Sequence, residues 1–333
     1  VVAEGQTDFL TREVPAPATG EVVIRIRASA LCGSDLHIFK AKHPSVPLPA
    51  TVGHEFAGDI AAVGAGVAGL AIGQRVTVEP CEACGVCDAC RHGEYGSCDK
   101  LTFIYRRGDG AMADYITVKA ASVYPLPDGL SYEAGALVEP LAVATHAVRR
   151  ADIKLGETVL VIGAGAIGLL VAALCKRSGA AEVIVTDHAG FRLAMAKTLG
   201  ATRTVNPREG DNLEQTVMAL TAGRGVDKAF ECVGREDTFV QAMSLIRKQG
   251  LATVVGIFEQ TEITIPVMCI VNREIRIQGS QGYCWDFPVA LAMAPEIGLE
   301  KLVTHRYALA DLQTALEVAS DRTQNSVKVV LNP

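Results

Sequence analysis

Hydrophobic and polar positions change rhythm twice along the chain. Residues 21–28, EVVIRIRA, alternate apolar and charged side chains, the period of a strand with one buried face. Residues 57–67, 75–78 and 110–118 read as further strands, punctuated by glycine and proline at 15–20, 44–49 and 64–73. No long helix is predicted before residue 131. From residue 159 short apolar runs alternate with helical stretches. Strands are predicted at 159–162, 183–185, 202–205, 225–234 and 251–257, and helices at 167–177, 191–199, 212–221 and 239–247. Repeated strand–helix units imply a parallel sheet with helices on both faces. After 274 the pattern reverts, with a strand at 274–279, helices at 289–293 and 311–319, and a closing strand at 327–331. The reading is an α/β chain in which a doubly wound parallel-sheet domain, 140–275, interrupts a β-rich domain made of 1–139 and 276–333.

Composition narrows the class. The chain has 333 residues, 49% apolar and 20% charged, enough for about two domains with sizeable cores. A net charge of −6 without any Lys/Arg block argues against nucleic acid or anionic membrane as a partner. No apolar run reaches the roughly 18 residues of a membrane span, and no cationic and apolar leader pattern is visible. Five of the ten cysteines, Cys81, Cys84, Cys87, Cys90 and Cys98, crowd together. Outside a secretory context such crowding reads as metal binding rather than disulfides, and points to a reducing compartment, the cytoplasm.

The change of rhythm at 159 coincides with a glycine series. Gly163, Gly165 and Gly168 follow an apolar strand in G-x-G-x-x-G spacing, with Ala166 and Ile167 between them as cofactor-binding candidates, a helical stretch starts at Ile167, and the next strand ends in Asp187. This is a dinucleotide-binding arrangement. Gly163 permits the tight turn, Gly165 lets backbone N–H groups approach a pyrophosphate, and Gly168 allows close packing of helix on sheet. The helix N-terminus favours the diphosphate charge. Asp187 is placed to accept ribose hydroxyls and to repel a 2′-phosphate, so NAD is favoured over NADP, although Arg192 and His188 keep NADP open. The loops after the later strands, at Cys232 and at Val255 and Ile257, are expected to line the nicotinamide.

Two further constellations carry metal chemistry. Cys32-Gly-Ser-Asp-Leu-His37 is followed by Gly53-His54-Glu55-Phe-Ala-Gly58, with Gly64 and Val67 beyond. Singly, Cys32 reads as a core cysteine and His54 as a core histidine. Together thiolate, imidazole and carboxylate are the ligand types of a catalytic zinc. Cys84-x2-Cys87-x2-Cys90-x7-Cys98 has the spacing of a closed, structural zinc site, with 81-84-87-90 as an alternative register. Glu139 stands in an otherwise apolar run before Pro140. It is either an acid favoured by a helix N-terminus or a group at the metal, direct or through water.

These motifs resemble the medium-chain zinc-dependent alcohol dehydrogenases. G-H-E-x-x-G-x-x-x-x-x-G-x-x-V at 53–67 is similar to that family's zinc signature, and C-G-S-D-x-H at 32–37 to the segment holding its first zinc ligand and proton relay. The resemblance covers essentially the whole chain. It implies a GroES-like β-rich catalytic domain with a structural-zinc lobe at about 81–98, and a Rossmann cofactor domain. Catalytic zinc would be held by Cys32, His54 and either Glu55 or Glu139, and structural zinc by Cys84, Cys87, Cys90 and Cys98, leaving Cys81 extra. Ser34 would take the alcohol proton and pass it through ribose hydroxyls to His37.

The V-E-P-L glutamate and the segment GSQGYCWDFP at 279–288 resemble sorbitol and other polyol dehydrogenases. Gly282, however, stands where sorbitol dehydrogenases carry arginine, which puts sorbitol itself in question. The expected activity is therefore hydride transfer between a small secondary alcohol (a polyol, a diol or similar) and NAD, in a homodimer or homotetramer. Alternatives are an L-threonine 3-dehydrogenase, an NADPH-dependent double-bond reductase on the same fold, and a non-catalytic zinc- and NAD-binding protein. The zinc ligand set argues against the last two.

Overall fold

Strand Glu21–Ala30 is the axis of the first sheet. The computed structural model describes residues 1–43 and 45–333, with Arg107 and Arg322 described by backbone alone; Pro44, one of the punctuating prolines, lies outside them. Val22, Val23, Ile24 and Ile26 of this strand are essentially inaccessible to solvent, and the sheet grows on both edges of it. It pairs antiparallel with Glu55–Val63 and with Tyr115–Lys119. At its C-terminal end it also pairs antiparallel with Lys328–Asn332, through Ser29 opposite Leu331 and Ala30 opposite Val330.

Seven strands make this sheet, in the order Val303–Ala308, Lys328–Asn332, Glu21–Ala30, Glu55–Val63, Arg75–Val78 and Val123–Pro125, with Tyr115–Lys119 also on Glu21–Ala30. Ala30 faces both Glu55 and Val330, so the registers bring the end of the first strand, the start of the second and the last strand to one place. Strand Glu55–Val63 stops at Gly64, where a Cβ would lie 2.0 Å from the Ala18 carbonyl oxygen. The strand predicted at 110–118 is shorter, Tyr115–Lys119. Its expected first residues form a turn instead, in which Ala111 N–H donates to the Gly53 carbonyl and Met112 N–H to that of Val52.

The second sheet has six strands, all parallel, in the order Arg203–Val205, Glu182–Thr186, Thr158–Ile162, Val226–Glu231, Ile246–Val254 and Arg276–Gly279. The order reverses beside Thr158–Ile162, the strand that feeds the glycine turn, and such a reversal is where open α/β sheets bind ligands. Leu160, Ile162, Ile184, Ala229, Met243 and Ala252 form the centre of its core.

Two compact units result, Val1–Glu139 with Phe287–Pro333, and Pro140–Asp286. The second unit therefore runs beyond the expected boundary at 275. Arg276–Gly279 pairs in parallel with Ile246–Val254, so it completes the second sheet rather than returning the chain to the first. Two elements carry no clear signal in the sequence. Helix Val267–Arg273 is apolar at its first five positions and half-buries Cys269 and Ile270 against the core, so no polar face marks its period, and strand Val303–Ala308 fully buries only Val303. Among the described residues no helix is long and apolar enough to cross a membrane.

Candidate active site

Asp35 organises the candidate metal cluster. Cys32 caps helix Gly33–Phe39, and its backbone N–H donates to Asp35 Oδ2 at 2.8 Å. Asp35 Oδ1 accepts from Gly53 N–H at 2.9 Å and lies 3.9 Å from His54 Nδ1. One fully buried carboxylate thus ties together the two segments that carry Cys32 and His54. Its signal in the sequence is an acid three residues after a helix cap, which by itself names no role. Gly53, at φ +97°, lets the chain turn beneath Met112.

Ligand atoms of Cys32, His54 and Glu55 lie within 4.8 Å of one another. Lys328, buried on the last strand, donates to both oxygens of Glu55 and to the Leu31 carbonyl. Glu139 is buried but outside that group of three. Burial pushes its carboxyl up to about 8, with the charges of His54, Glu55, Cys32 and Lys328 acting on it as well. Burial, then the charge of Glu55, pushes the Cys32 thiol up to about 11. Lys328 balances one of these negative charges, and a thiolate, an imidazole and a second carboxylate remain, a donor set that suits a divalent metal ion. His54 Nδ1 is buried without a hydrogen-bond partner, as is Ser34 Oγ. His37 lies on the same helix three residues after Ser34, on the same face and half-buried.

Cys84, Cys87, Cys90 and Cys98 form a second group with ligand atoms within 4.8 Å. Cys84 Sγ accepts from Val86 N–H and Cys87 N–H, and Cys98 Sγ from Cys84 N–H and Lys100 N–H. The Val86 and Cys87 N–H donors hold the Cys84 thiol down at about 6, which favours the thiolate a metal needs. Cys81 stands apart on strand Cys81–Glu82, with its Sγ 3.4 Å from Glu79 Oε1. The alternative register that includes it is not the one the fold gathers.

In the second unit Gly163 has φ +96°, and a Cβ at Gly168 would fall 1.8 Å from the Gly163 carbonyl oxygen. Gly165 caps helix Ala166–Arg177, whose first residues are Ala166 and Ile167, and a Cβ there would meet nothing within 4 Å. That open cradle at a helix N-terminus suits a diphosphate. Asp187 accepts from Ala164 N–H at 2.7 Å and from Ala189 N–H at 2.9 Å, tying the glycine turn to the end of the next strand. Arg192 follows on helix Gly190–Thr198, its guanidinium 5.5 Å from the Phe191 ring. Cys232 and Val255 follow directly on the parallel strands, and Ile257 is exposed. The buried Glu231 carboxylate accepts from Val233 N–H, Gly234 N–H and the Thr238 hydroxyl, and so shapes this loop. Sequence reasoning misses Glu231, because a lone acid at a strand end has no distinguishing spacing.

Comparison with known proteins agrees with this layout. Residues 18–128 match the alcohol dehydrogenase GroES-like domain and residues 166–330 the zinc-binding dehydrogenase domain. A sorbitol dehydrogenase from Bacillus subtilis is 38% identical over 97% of this chain and 93% of its own. The chain belongs to the zinc-dependent medium-chain alcohol dehydrogenases. Another dehydrogenase of this family, the D-arabitol-phosphate dehydrogenase of Enterococcus avium, is 33% identical over 98% of this chain and 95% of its own. A zinc-binding dehydrogenase of Sinorhizobium meliloti 1021, solved bound to NADP, superposes with a TM-score of 0.89 at 31% identity over 96% of this chain and 94% of that one. This zinc-dependent dehydrogenase acts on alcohol groups and uses a nicotinamide cofactor.

Proposed function

We propose that this dehydrogenase oxidises a secondary alcohol of a polyol or diol with NAD. The convergence of Cys32, His54 and Glu55 beside a buried, unpartnered Ser34 hydroxyl carries the reading. Cys32 and His54, with Glu55 or Glu139, would hold the zinc. Bound there, it supplies Lewis acidity that lowers the pKa of a substrate hydroxyl. Ser34 takes the alcohol proton, and His37 hands it on towards solvent. Asp35 holds the Cys32 and His54 segments in register. In the cofactor unit Asp187 disfavours a 2′-phosphate, which supports NAD over NADP. Cys84, Cys87, Cys90 and Cys98 would hold the structural zinc, and so thiol-rich a lobe suits the cytoplasm. The exposed Val267, Met268, Val271 and Ile277 on and beside the edge strand Arg276–Gly279 support a homodimer or homotetramer.

The test is NADH formation across sorbitol, xylitol, smaller diols, inositols and L-threonine, with and without a zinc chelator. Chelator-sensitive turnover of a polyol or diol is expected. Zinc-loaded protein that turns over none of them would overturn the reading.

A further inference from the structure

We propose that the substrate carries an anionic group, phosphate or carboxylate, seated between His43 and Arg106; this rests on the dehydrogenase reading above. The Tyr105 ring packs against His54, with centroids 5.1 Å apart, and His43 stands edge-on to the same tyrosine at 6.0 Å. Phe103 stacks on Tyr105 at 5.7 Å, and the Arg106 guanidinium lies 5.6 Å from the Phe103 ring. A basic pair thus stands one aromatic ring away from a proposed metal ligand, His43 across Tyr105 and Arg106 across Phe103. An open cavity of about 540 Å³, lined by Ala41, His43, Ser45, Val46, Pro47 and Leu48, adjoins His43.

The charges acting on His43 are mostly positive, Arg106, His37 and His54, with Asp35 opposing them. Residues 36–52 and 101–106 contain no Asp or Glu, but carry His37, Lys40, Lys42, His43 and Arg106. Asp35, just before the first segment, has both oxygens committed to backbone N–H groups. Burial, and then the charge of Arg106, lowers the His43 pKa. The imidazolium and the guanidinium therefore oppose each other. An anion between them would favour the imidazolium and turn the repulsion into two charge-assisted hydrogen bonds. A neutral polyol offers no such gain, and His43 stays uncharged beside Arg106.

The experiment compares kcat/KM of the zinc-loaded enzyme with NAD for an alditol, its terminal phosphate and the matching aldonate. A preference of about 10- to 100-fold for one of the anionic forms is expected, the worth of a hydrogen bond to a charged group. Arg106→Met should cut that preference by a similar factor, and His43→Asn should cut it in part. Calorimetric titration of the same protein with inorganic phosphate, without dinucleotide, should show binding that Arg106→Met weakens. Turnover of neutral alditols with no gain for either anionic form would overturn the anion seat and leave the dehydrogenase reading standing. No turnover of any form, with zinc bound, would overturn both.

Discussion

At the scale of single residues, the cluster depends on buried charges that find partners. Lys328 and Glu55 are 273 residues apart in sequence and both buried. Lys328→Met would leave a buried carboxylate without its cation and should destabilise the protein by about 3–5 kcal/mol in denaturant unfolding. Pairing it with Glu55→Gln should recover much of that loss. Ser34→Ala should lower turnover roughly 100-fold, while zinc content and melting temperature hold. Undiminished turnover would remove Ser34 from proton transfer. Cys32, His54 and Glu139 are legible in the sequence because each breaks an apolar or glycine-rich context with a chemically distinctive side chain. Lys328 breaks its apolar run in the same way, but a lone lysine names no chemistry until the fold shows which carboxylate it meets. Asp35 is hidden by a side chain whose hydrogen bonds go to backbone N–H groups.

At the scale of elements, regular strands and helices follow their sequence period closely, and misplaced boundaries have physical causes. Helix Val267–Arg273 opens on five apolar residues in a row, so no alternation of apolar and polar positions marks its period. Arg276–Gly279 looks like any edge strand, and nothing local says which sheet it joins. A similar long-range tie lies between helix Val138–Ala151 and the segment after that strand. His146 Nδ1 lies 2.6 Å from Asp286 Oδ2, and Arg149 donates to Asp286 Oδ1 at 2.6 Å. Burial acts to raise the Asp286 pKa, but the hydrogen bonds from His146 and the Cys284 N–H, with the charges of His146 and Arg149, leave it lowered. A lowered carboxyl contributes stability that is present above its unfolded value and lost as pH falls through the folded one. Asp286→Asn should therefore destabilise the protein at neutral pH and flatten the loss of stability below about pH 4. An unchanged acid limb in pH-dependent melting would show that the tie contributes nothing.

At the scale of the whole molecule, two candidate metal groups share one unit while the glycine turn belongs to the other. Metal analysis should find about two zinc ions per chain, and Cys90→Ser should reduce that to about one, because the four-thiolate site has no spare ligand. Loss of both ions would mean that the sites depend on each other. The first unit is also assembled from both ends of the sequence, since strand Lys328–Asn332 closes a sheet that begins with Glu21–Ala30. On the ribosome this inverts the usual order of maturation. The segment with Cys32 and Glu55 emerges early, yet the lysine that neutralises Glu55 follows on the order of tens of seconds later at ordinary synthesis rates. The cofactor unit, encoded without interruption, can be complete while its neighbour still waits for its last strand.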